Sequence, residues 1–478
     1  MINKRSLNLL MDFYELTMAN SYFNNNKHLD MAVFDIFFRK IPDNGGYAIF
    51  SGLNQVIDYL ENLSFSKKEI EFLEKKHIFD KDFLSYLENF KFSCDVYSFR
   101  EGNIIFPGEP IMIIKGPIIE CQLIETMLLL TINHQSLIAT KASRIVRAAK
   151  GKPVLEFGAR RAHGYDASIY GARAAYIGGV LGTSNTIVEH IFGIPGLGTM
   201  AHSFVQSYEN EFEAFKAYAK SYPDNTILLV DTYDTLKSGI PNAIRIQKEI
   251  LEPLGKKLKG IRLDSGDLTY LSIEARKLLD KNNMHYVTIT VSNSLDEFLI
   301  ENLLNQGAKI DAFGVGERLI TSKSESVFGG VFKLVAYSLN GKLKAKMKIS
   351  DNPIKTTLPG FKQVYRFFIN DKAKADVITL HEEEIDENKP YEIFDPIYVY
   401  KKQIIKGFKV EKLLHKIFSK GKLIYKKPKI DEIREYSQKA LSRFWEEVKR
   451  LENPHEYYVD YSRKLYDLKL ECIKKIKK

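Results

Sequence analysis

The segment "EFGARRAHG" places Arg160 and Arg161 directly after a short apolar run that ends at Phe157. Guanidinium groups bind phosphate or carboxylate through paired hydrogen bonds, so this segment has the chemistry of an anion site. A structural ion pair is the alternative role for either arginine, and both roles stay open at this point.

A second cluster, "GIRLDSGDLTYL", contains Arg262, Asp264, Ser265 and Asp267, with Gly266 allowing the backbone to approach a ligand closely. Its position between an apolar run and a helical pattern predicts a strand-to-helix turn. Either aspartate can cap the helix. The functional alternative is that one carboxylate binds sugar hydroxyls or hydrated Mg²⁺ while the helix N-terminus faces an anion.

Glycines and hydroxyl or amide side chains recur in "AFGVGERLITS" and "VSNSLDE". Gly314 and Gly316 precede a helical pattern, and Arg318 follows them, an arrangement that predicts a phosphate site built from backbone N–H groups. Asn293 stands at the corresponding position of the other segment. A Gly-x-Gly pattern alone is weak evidence, but phosphate sites often follow the last strands of an α/β barrel.

The segment "GLGTMAHSFVQS" contains one histidine, His202, with Thr199 before it and Ser203 after it. Neither cysteine nor carboxylate occurs in the segment, so its composition gives little support to a metal site. Composition alone favours a hydrogen-bonded loop histidine.

These clusters require an element order that brings strand ends together. From about residue 118, short apolar runs alternate with amphipathic helical patterns, which predicts a parallel sheet covered by helices. Because the polar clusters follow so many of the apolar runs, we predict an α/β barrel of irregular, TIM-like form, with an open doubly wound sheet as the alternative. The predicted domains are an N-terminal α+β domain (1–117), the barrel (118–330) and a C-terminal extension of hairpins and helices (331–478) that packs partly on the N-terminal domain.

The composition is typical of a globular enzyme, with 45% hydrophobic and 27% charged residues. The net charge of +10 could attract nucleic acid or acidic membranes, but the surplus lysines gather in helical patterns typical of solvated faces. The three cysteines are widely separated and form no CxxC motif, which favours a reducing cytoplasm over a zinc or disulfide framework. We predict neither an export signal nor a transmembrane helix, and no nucleic-acid or membrane partner.

Several segments together resemble the nicotinate phosphoribosyltransferase family, in the family's order and over nearly the whole chain. These segments are "DFYELTMA", "EFGARRAHG", "GTSN", "GTMAHSF", "VDTYDT", "IRLDSGDL", "VSNSLDE", "FGVGERLITS" and "TLPGFKQVYR". The resemblance implies a type II phosphoribosyltransferase that joins nicotinate to 5-phosphoribosyl 1-diphosphate and couples the step to ATP hydrolysis. It also implies Mg²⁺ bridging the diphosphate without a dedicated protein metal site, and a homodimer whose active sites are shared between subunits.

The resemblance assigns expected roles residue by residue. Arg262 is expected to bind the nicotinate carboxylate. The nicotinate ring is expected to lie between Phe157 of the same subunit and Tyr14 of the partner subunit, with Thr199 nearby. His202 is the expected phosphohistidine and, with Arg262 and Asp264, forms the expected catalytic set. The other expected substrate contacts are Arg160, Ser184, Ser265, Gly266, Asn293, Gly314, Gly316 and Arg318.

Two positions bear on specificity. Enzymes that use nicotinamide carry an aspartate near the place of Ser184, and that carboxylate would repel nicotinate, so serine predicts nicotinate as the substrate. Many family members have threonine where this chain has Glu317, which leaves the phosphate ligands of that loop open.

The alternative functions for the chain are a nicotinamide or quinolinate phosphoribosyltransferase, a phosphate-dependent hydrolase or aldolase on the same barrel, and a non-catalytic nucleic-acid-binding or regulatory protein.

Overall fold

The computed structural model describes residues 6–350 and 355–476. The chain divides into two compact units. We call Ile138–Ser326 the central unit, and Met1–Leu137 together with Val327–Lys478 the flanking unit.

The strands are short, and most of them present apolar side chains to a buried face. In chain order they are β1 Met31–Phe38, β2 Ala48–Ile49, β3 Asp95–Ser98, β4 Ile104–Ile105, β5 Met112–Pro117, β6 Val154–Glu156, β7 Ile227–Leu229, β8 Gly260–Leu263, β9 Thr288–Ser292, β10 Ala312–Val315, β11 Gly330–Leu339, β12 Lys342–Ala345, β13 Lys362–Ile369, β14 Lys372–Leu380, β15 Tyr391–Phe394, β16 Lys402–Ile405, β17 Lys409–Lys412, β18 His415–Ser419, β19 Lys422–Leu423 and β20 Val459–Tyr461.

The helices range from single turns to a long helix of 24 residues. They are α1 Phe13–Asn24, α2 Leu53–Asn62, α3 Lys67–Glu74, α4 Lys81–Glu88, α5 Ile118–Gln122, α6 Glu125–Ala148, α7 Tyr165–Ile177, α8 Thr186–Phe192, α9 His202–Gln206, α10 Glu211–Ser221, α11 Ile240–Ile246, α12 Leu268–Lys281, α13 Glu297–Asn305, α14 Glu317–Ile320, α15 Ile430–Ser442 and α16 Arg463–Ile476.

The central unit contains a five-stranded parallel sheet in the order β6-β10-β9-β8-β7. Beyond β6, isolated parallel bridges connect Glu156 to Thr183 and Thr183 to Gly196. Neighbouring segments in the sheet therefore follow one another along the chain, and the last strand, β10, lies next to the first, β6, as in a barrel. The mixed α/β class and the parallel sheet are confirmed, and full closure of the barrel stays a prediction.

The apolar run in "GGVLGTS" is one of those that predict a strand of the parallel sheet, but it is present only as the bridge at Thr183. Three glycines lie in or directly before the bridge, and Gly179 has a φ of +117°. Glycine weakens a strand interior because it adds backbone entropy and no packing surface.

The flanking unit contains a seven-stranded sheet in the order β12-β11-β1-β5-β3-β18-β19, with antiparallel pairing throughout. Strands from both the predicted N-terminal domain and the predicted C-terminal extension pair in this one sheet. The hairpin predicted at "LNGK" joins β11 and β12, and Asn340 and Gly341 both have positive φ, as a tight two-residue turn requires. The boundaries of the three predicted domains stay a prediction.

A buried charge cluster fixes α6 to α13 within the central unit. The fully buried carboxylate of Glu297 accepts hydrogen bonds from Lys141 Nζ at 2.8 Å and Arg144 Nε at 2.9 Å. Both cations are almost fully buried as well. Two buried cations depend on this carboxylate, so its charge matters more to stability than that of a surface acid.

We expect Glu297→Gln to lower the free energy of unfolding by about 3 kcal/mol, because it removes a buried carboxylate charge that two buried cations contact. The matched control is Glu249→Gln, which breaks the half-exposed pair with Arg245 and should cost less than about 1 kcal/mol. Urea denaturation of both variants and the wild type measures the difference. Equal losses in the two variants would contradict this role of Glu297.

Candidate functional site

The polar side chains that follow β7, β8 and β9 lie at one edge of the parallel sheet. Parallel strands end on the same side, so residues far apart in sequence meet there. Asp231 follows β7, Asp264 follows β8, and Ser292 ends β9. Three consecutive strand ends thus supply one connected group of polar atoms.

Arg262 lies at the centre of this group, with a largely buried side chain. Its Nε donates to Ser292 Oγ at 2.9 Å, and one terminal nitrogen donates to Asp264 Oδ1 at 2.9 Å. The other terminal nitrogen has only long contacts of 3.5 Å, to Thr199 Oγ1 and the Met200 carbonyl. Two guanidinium nitrogens are therefore fixed by the protein, and the third is only weakly engaged.

Asp264 is held by hydrogen bonds from two sides. Its carboxylate accepts from Arg262 and from the Ser292 hydroxyl, while its own N–H donates to Asp231 Oδ2 at 2.7 Å. Burial alone would raise the pKa of Asp264, but the hydrogen bonds from Ser292 and Arg262, with the Arg262 charge, lower it below the usual aspartate range. Asp264 is therefore ionised at neutral pH.

Asp231 forms the base of this arrangement. Its Oδ2 accepts from the Asp264 N–H and from Ser265 Oγ at 2.7 Å. Its Oδ1 is buried and has no hydrogen-bond partner in the part of the chain that the structure describes. Asp267, the other aspartate of the turn, caps α12 by accepting from the Tyr270 N–H, so the capping alternative holds for Asp267 and not for Asp264.

His202 begins α9 and faces this group with both ring nitrogens. Its Nδ1 lies 3.1 Å from Thr232 Oγ1, and its Nε2 lies 3.8 Å from Asp264 Oδ2. The side chain is 39% exposed, so a ligand can reach the ring.

Phe157 lies on the other side of Arg262, with its ring centroid 5.7 Å from the guanidinium carbon. A Cβ at Gly314 would lie 2.5 Å from this ring, and one at Gly158 would lie 2.7 Å from the Gly316 carbonyl oxygen. These glycines are required because β6 and β10 approach each other closely here. An aromatic face and a guanidinium thus border the same space.

The neighbouring strand end places Ser184 at the same edge. The Ser184 N–H donates to the Glu156 carbonyl at 2.8 Å, and the buried Glu156 carboxylate accepts from Thr183 Oγ1 at 2.6 Å. Burial raises the pKa of Glu156 even though the hydrogen bonds that its carboxylate accepts from Thr183 and from the Gly158 N–H oppose the shift. The Ser184 side chain is exposed.

Two ion pairs follow Gly316 at the end of β10. Arg318 pairs with Asp296, the residue that caps α13, while Glu317 pairs with Lys323 at 2.6 Å. The hydrogen bond and the charge of Lys323 lower the pKa of Glu317. The carboxylate of Glu317 is thereby compensated by a lysine and does not pair with Arg318.

The remaining expected residues occupy different settings. Asn293 follows β9 in the left-handed region with a φ of +93°, which asparagine enters more readily than most residues. Arg160 is exposed in the single turn Ala159–Arg161, and Gly266 has a φ of +79° in the turn before α12. Tyr14 belongs to α1 of the flanking unit and is 44% exposed.

Sequence reasoning missed three members of the connected group, namely Asp231, Thr232 and Ser292. The first two belong to the segment "VDTYDT", in which a strand runs directly into acidic and hydroxyl residues. That signal was available, but the pairing of Ser292 with both Arg262 and Asp264 depends on the register of β8 and β9.

Neither a metal cluster nor a membrane span is evident in the described residues. Within 6–350 and 355–476, no group of three or more histidine, cysteine, aspartate or glutamate residues could hold a metal ion. In the same residues, no helix combines the length and the apolar character needed to cross a bilayer.

Comparison with known proteins assigns the chain to a family. Residues 9–133, 153–387 and 361–469 match the models described as nicotinate phosphoribosyltransferase (NAPRTase) N-terminal domain, NAPRTase family and nicotinate phosphoribosyltransferase C-terminal domain. The nicotinate phosphoribosyltransferase of Bacillus subtilis is 45% identical over 99% of this chain and 96% of its own length.

Solved structures agree with this assignment. The crystal structure of human nicotinic acid phosphoribosyltransferase has a TM-score of 0.86 at 29% identity, covering 97% of this chain and 100% of the human chain. The structure of nicotinate-nucleotide pyrophosphorylase from Pyrococcus furiosus has a TM-score of 0.71 at 27% identity, covering 93% and 97%. With three family models spanning most of its length and a whole-length relative at 45% identity, the chain belongs to the nicotinate phosphoribosyltransferase family.

Proposed function

We propose that the protein transfers the phosphoribosyl group of 5-phosphoribosyl 1-diphosphate to the ring nitrogen of nicotinate, the first step of NAD salvage from nicotinate. The products are nicotinate mononucleotide and diphosphate. The observation that carries the proposal is the weakly engaged nitrogen of Arg262 beside the Phe157 ring. A flat aromatic acid needs both an apolar face and a cation, and these two side chains supply them.

Positioning and charge carry most of the proposed catalysis. The pyridine nitrogen is already a nucleophile, so no general base is needed. As the C–O bond to diphosphate breaks, positive charge develops at the anomeric carbon, and the ionised Asp264 carboxylate stabilises that charge. Arg262 fixes the nicotinate carboxylate so that the ring nitrogen faces this carbon.

The phosphorylated sugar is proposed to lie along the strand ends next to this pair. We propose that backbone N–H groups near Gly314 and Gly316 bind the 5-phosphate and that the exposed Arg160 contacts it as well. The other proposed contacts with the phosphorylated sugar come from Ser265, Gly266, Asn293 and Arg318. Arg318 already pairs with Asp296, so its contribution requires that pair to be shared or exchanged.

Mg²⁺ is the proposed cofactor, and one feature of the site fits it. The buried Oδ1 of Asp231 lacks a hydrogen-bond partner in the described residues and is a hard oxygen donor, the type that Mg²⁺ prefers. Asp231 Oδ1 would hold the ion, which would supply charge neutralisation for the diphosphate. Asp231 meanwhile fixes the Asp264 backbone and Ser265.

ATP coupling is proposed to proceed through His202. When Thr232 accepts from Nδ1–H, the lone pair of Nε2 is free to attack the γ-phosphorus of ATP, and the bond to the ADP oxygen breaks. Water later cleaves the phosphohistidine and releases phosphate. The phosphorylated form would bind 5-phosphoribosyl 1-diphosphate more tightly, which couples ATP hydrolysis to product formation.

A homodimer with shared sites is part of this proposal. Tyr14 is exposed on α1, and its hydroxyl is hydrogen-bonded to Glu125. Burial and the Glu125 charge raise the pKa of Tyr14, so the phenol stays neutral. We propose that this ring stacks on nicotinate bound in the other subunit.

A product assay with nicotinate, nicotinamide and quinolinate, each with and without ATP, tests the substrate. We expect mononucleotide from nicotinate only, with ATP hydrolysed during turnover. Product from quinolinate or nicotinamide at a comparable rate would contradict the proposal, as would salt-sensitive binding of DNA or RNA without turnover.

Ser184→Asp in the same assay tests the basis of specificity. Two carboxylates about 4 Å apart repel by roughly 4 kcal/mol at an effective dielectric constant near 20, so nicotinate kcat/KM should fall by up to about a thousandfold. Ser184→Asn is the uncharged control of similar size and should lose much less. Unchanged nicotinate kinetics in Ser184→Asp would separate Ser184 from substrate choice.

His202→Ala is expected to abolish phosphate incorporation from γ-labelled ATP and nicotinate-dependent ATP hydrolysis while leaving slow phosphoribosyl transfer. His285→Ala removes an exposed histidine of the same unit and should leave labelling intact. Acid-labile, stoichiometric label that persists in His202→Ala would assign the phosphate to another residue.

A further inference from the structure

A cavity of about 580 Å³ lies within the flanking unit, and its lining is strongly basic. Five of its lining residues are cations, namely Arg100, Arg366, Lys412, Lys439 and Arg443, against the single acid Glu411. None of the residues assigned above to nicotinate, the phosphoribosyl group or ATP lines it. A volume of this size is typical of small-molecule sites.

Three of these cations are already compensated. Arg366 pairs with Asp376 at 2.6 Å, Lys412 with Glu384 at 2.8 Å, and Arg443 with Glu411 at 2.7 Å. These ion pairs hold the three cations in place and leave the charges of the other two lining cations unneutralised.

Arg100 and Lys439 differ from the other three. Both are exposed, and neither forms an ion pair within the residues that the structure describes. Arg100 follows β3, and Lys439 lies on α15, so two separate elements contribute uncompensated charge to one cavity. His415 also lines the cavity, and burial and the Arg100 guanidinium lower its pKa, so it is neutral and the positive charge of the cavity comes from the arginines and lysines. An anion is the ligand that this electrostatic arrangement favours.

The base of the cavity is rigid. The buried Arg366 donates from Nε to Asp376 Oδ1 at 2.8 Å, and its two terminal nitrogens donate to Asn103 Oδ1 at 2.9 Å and to the Ile104 carbonyl at 2.8 Å. The Arg443 guanidinium lies 3.5 Å from the centre of the Phe368 ring. Tyr436 and Phe444 add aromatic surface to the lining. A preformed basic cavity with aromatic walls suits a ligand that combines phosphate groups with a flat ring.

We propose that this cavity is a second ligand site of the protein, which binds an organic phosphate of nucleotide size. Its phosphate groups contact Arg100 and Lys439, and its ring contacts the aromatic wall. The site is separate from the proposed phosphoribosyl transfer and does not depend on it.

The test is equilibrium dialysis of the full-length protein with ADP, and in parallel with inorganic phosphate. The variant is Arg100→Ser/Lys439→Ser, and the matched control is Arg450→Ser/Lys406→Ser, which removes one exposed arginine and one exposed lysine of the same unit outside the cavity. We expect the cavity variant to bind one fewer ADP per chain than the wild type and the control, with nicotinate turnover retained. A parallel loss of bound inorganic phosphate would identify the phosphate group alone as sufficient for recognition.

Equal ADP stoichiometry and affinity in all three proteins would overturn the proposal. Thermal unfolding of the variants distinguishes loss of the site from loss of structure, since both substituted side chains are exposed and their removal should shift Tm by little. Retained turnover with lost ADP separates this site from the catalytic one.

Discussion

The ion pair between Arg262 and Asp264 is the interaction on which the candidate site depends. Arg262 is fixed by Ser292 and Asp264, and Asp264 is fixed in turn by the Asp231 carboxylate through its backbone. His202, Thr199 and Phe157 all contact or border this pair. Changing either partner would therefore alter nearly every proposed ligand contact at once.

The pair also sets the electrostatics. A guanidinium whose N–H groups all donate to protein carboxylates has no donor left for a ligand carboxylate. A half-buried guanidinium without any carboxylate partner would destabilise the fold, because burying an unpaired charge costs free energy. Arg262 lies between these limits, because one terminal nitrogen serves Asp264 and the other has only 3.5 Å contacts. The pair affects Asp264 as well, since the hydrogen bond and the charge of Arg262 help to lower the pKa of Asp264 and keep this carboxylate ionised.

Much of this architecture follows from local sequence. "GIRLDS" and "IDAFGVG" each combine a short buried run with a turn of glycine and polar residues, and the strands β8 and β10 end where that change occurs. The strand expected in "GGVLGTS" was reduced to one bridge by its glycines. Local composition therefore predicts where a strand ends more reliably than whether a glycine-rich run pairs at all.

The side-chain partners could not be derived in the same way. Arg318 pairs with Asp296, which precedes α13 on a different strand–helix connection, and the local sequence around Arg318 does not indicate this partner. Ser292 and Asp231 enter the site only because β7, β8 and β9 are neighbours in a particular register. Such contacts depend on tertiary pairing, which a single sequence does not encode in its local pattern.

Titration calorimetry of nicotinate with Arg262→Gln and Arg262→Lys tests most directly whether Arg262 binds the nicotinate carboxylate. A charge-assisted hydrogen bond contributes about 1.5–3 kcal/mol, so the account predicts dissociation constants about 10- to 100-fold higher in both variants. Arg245→Gln, which removes a half-exposed arginine of the same unit, should bind nicotinate like the wild type. Nicotinate affinity within twofold of the wild type in a folded Arg262→Gln protein would contradict the account.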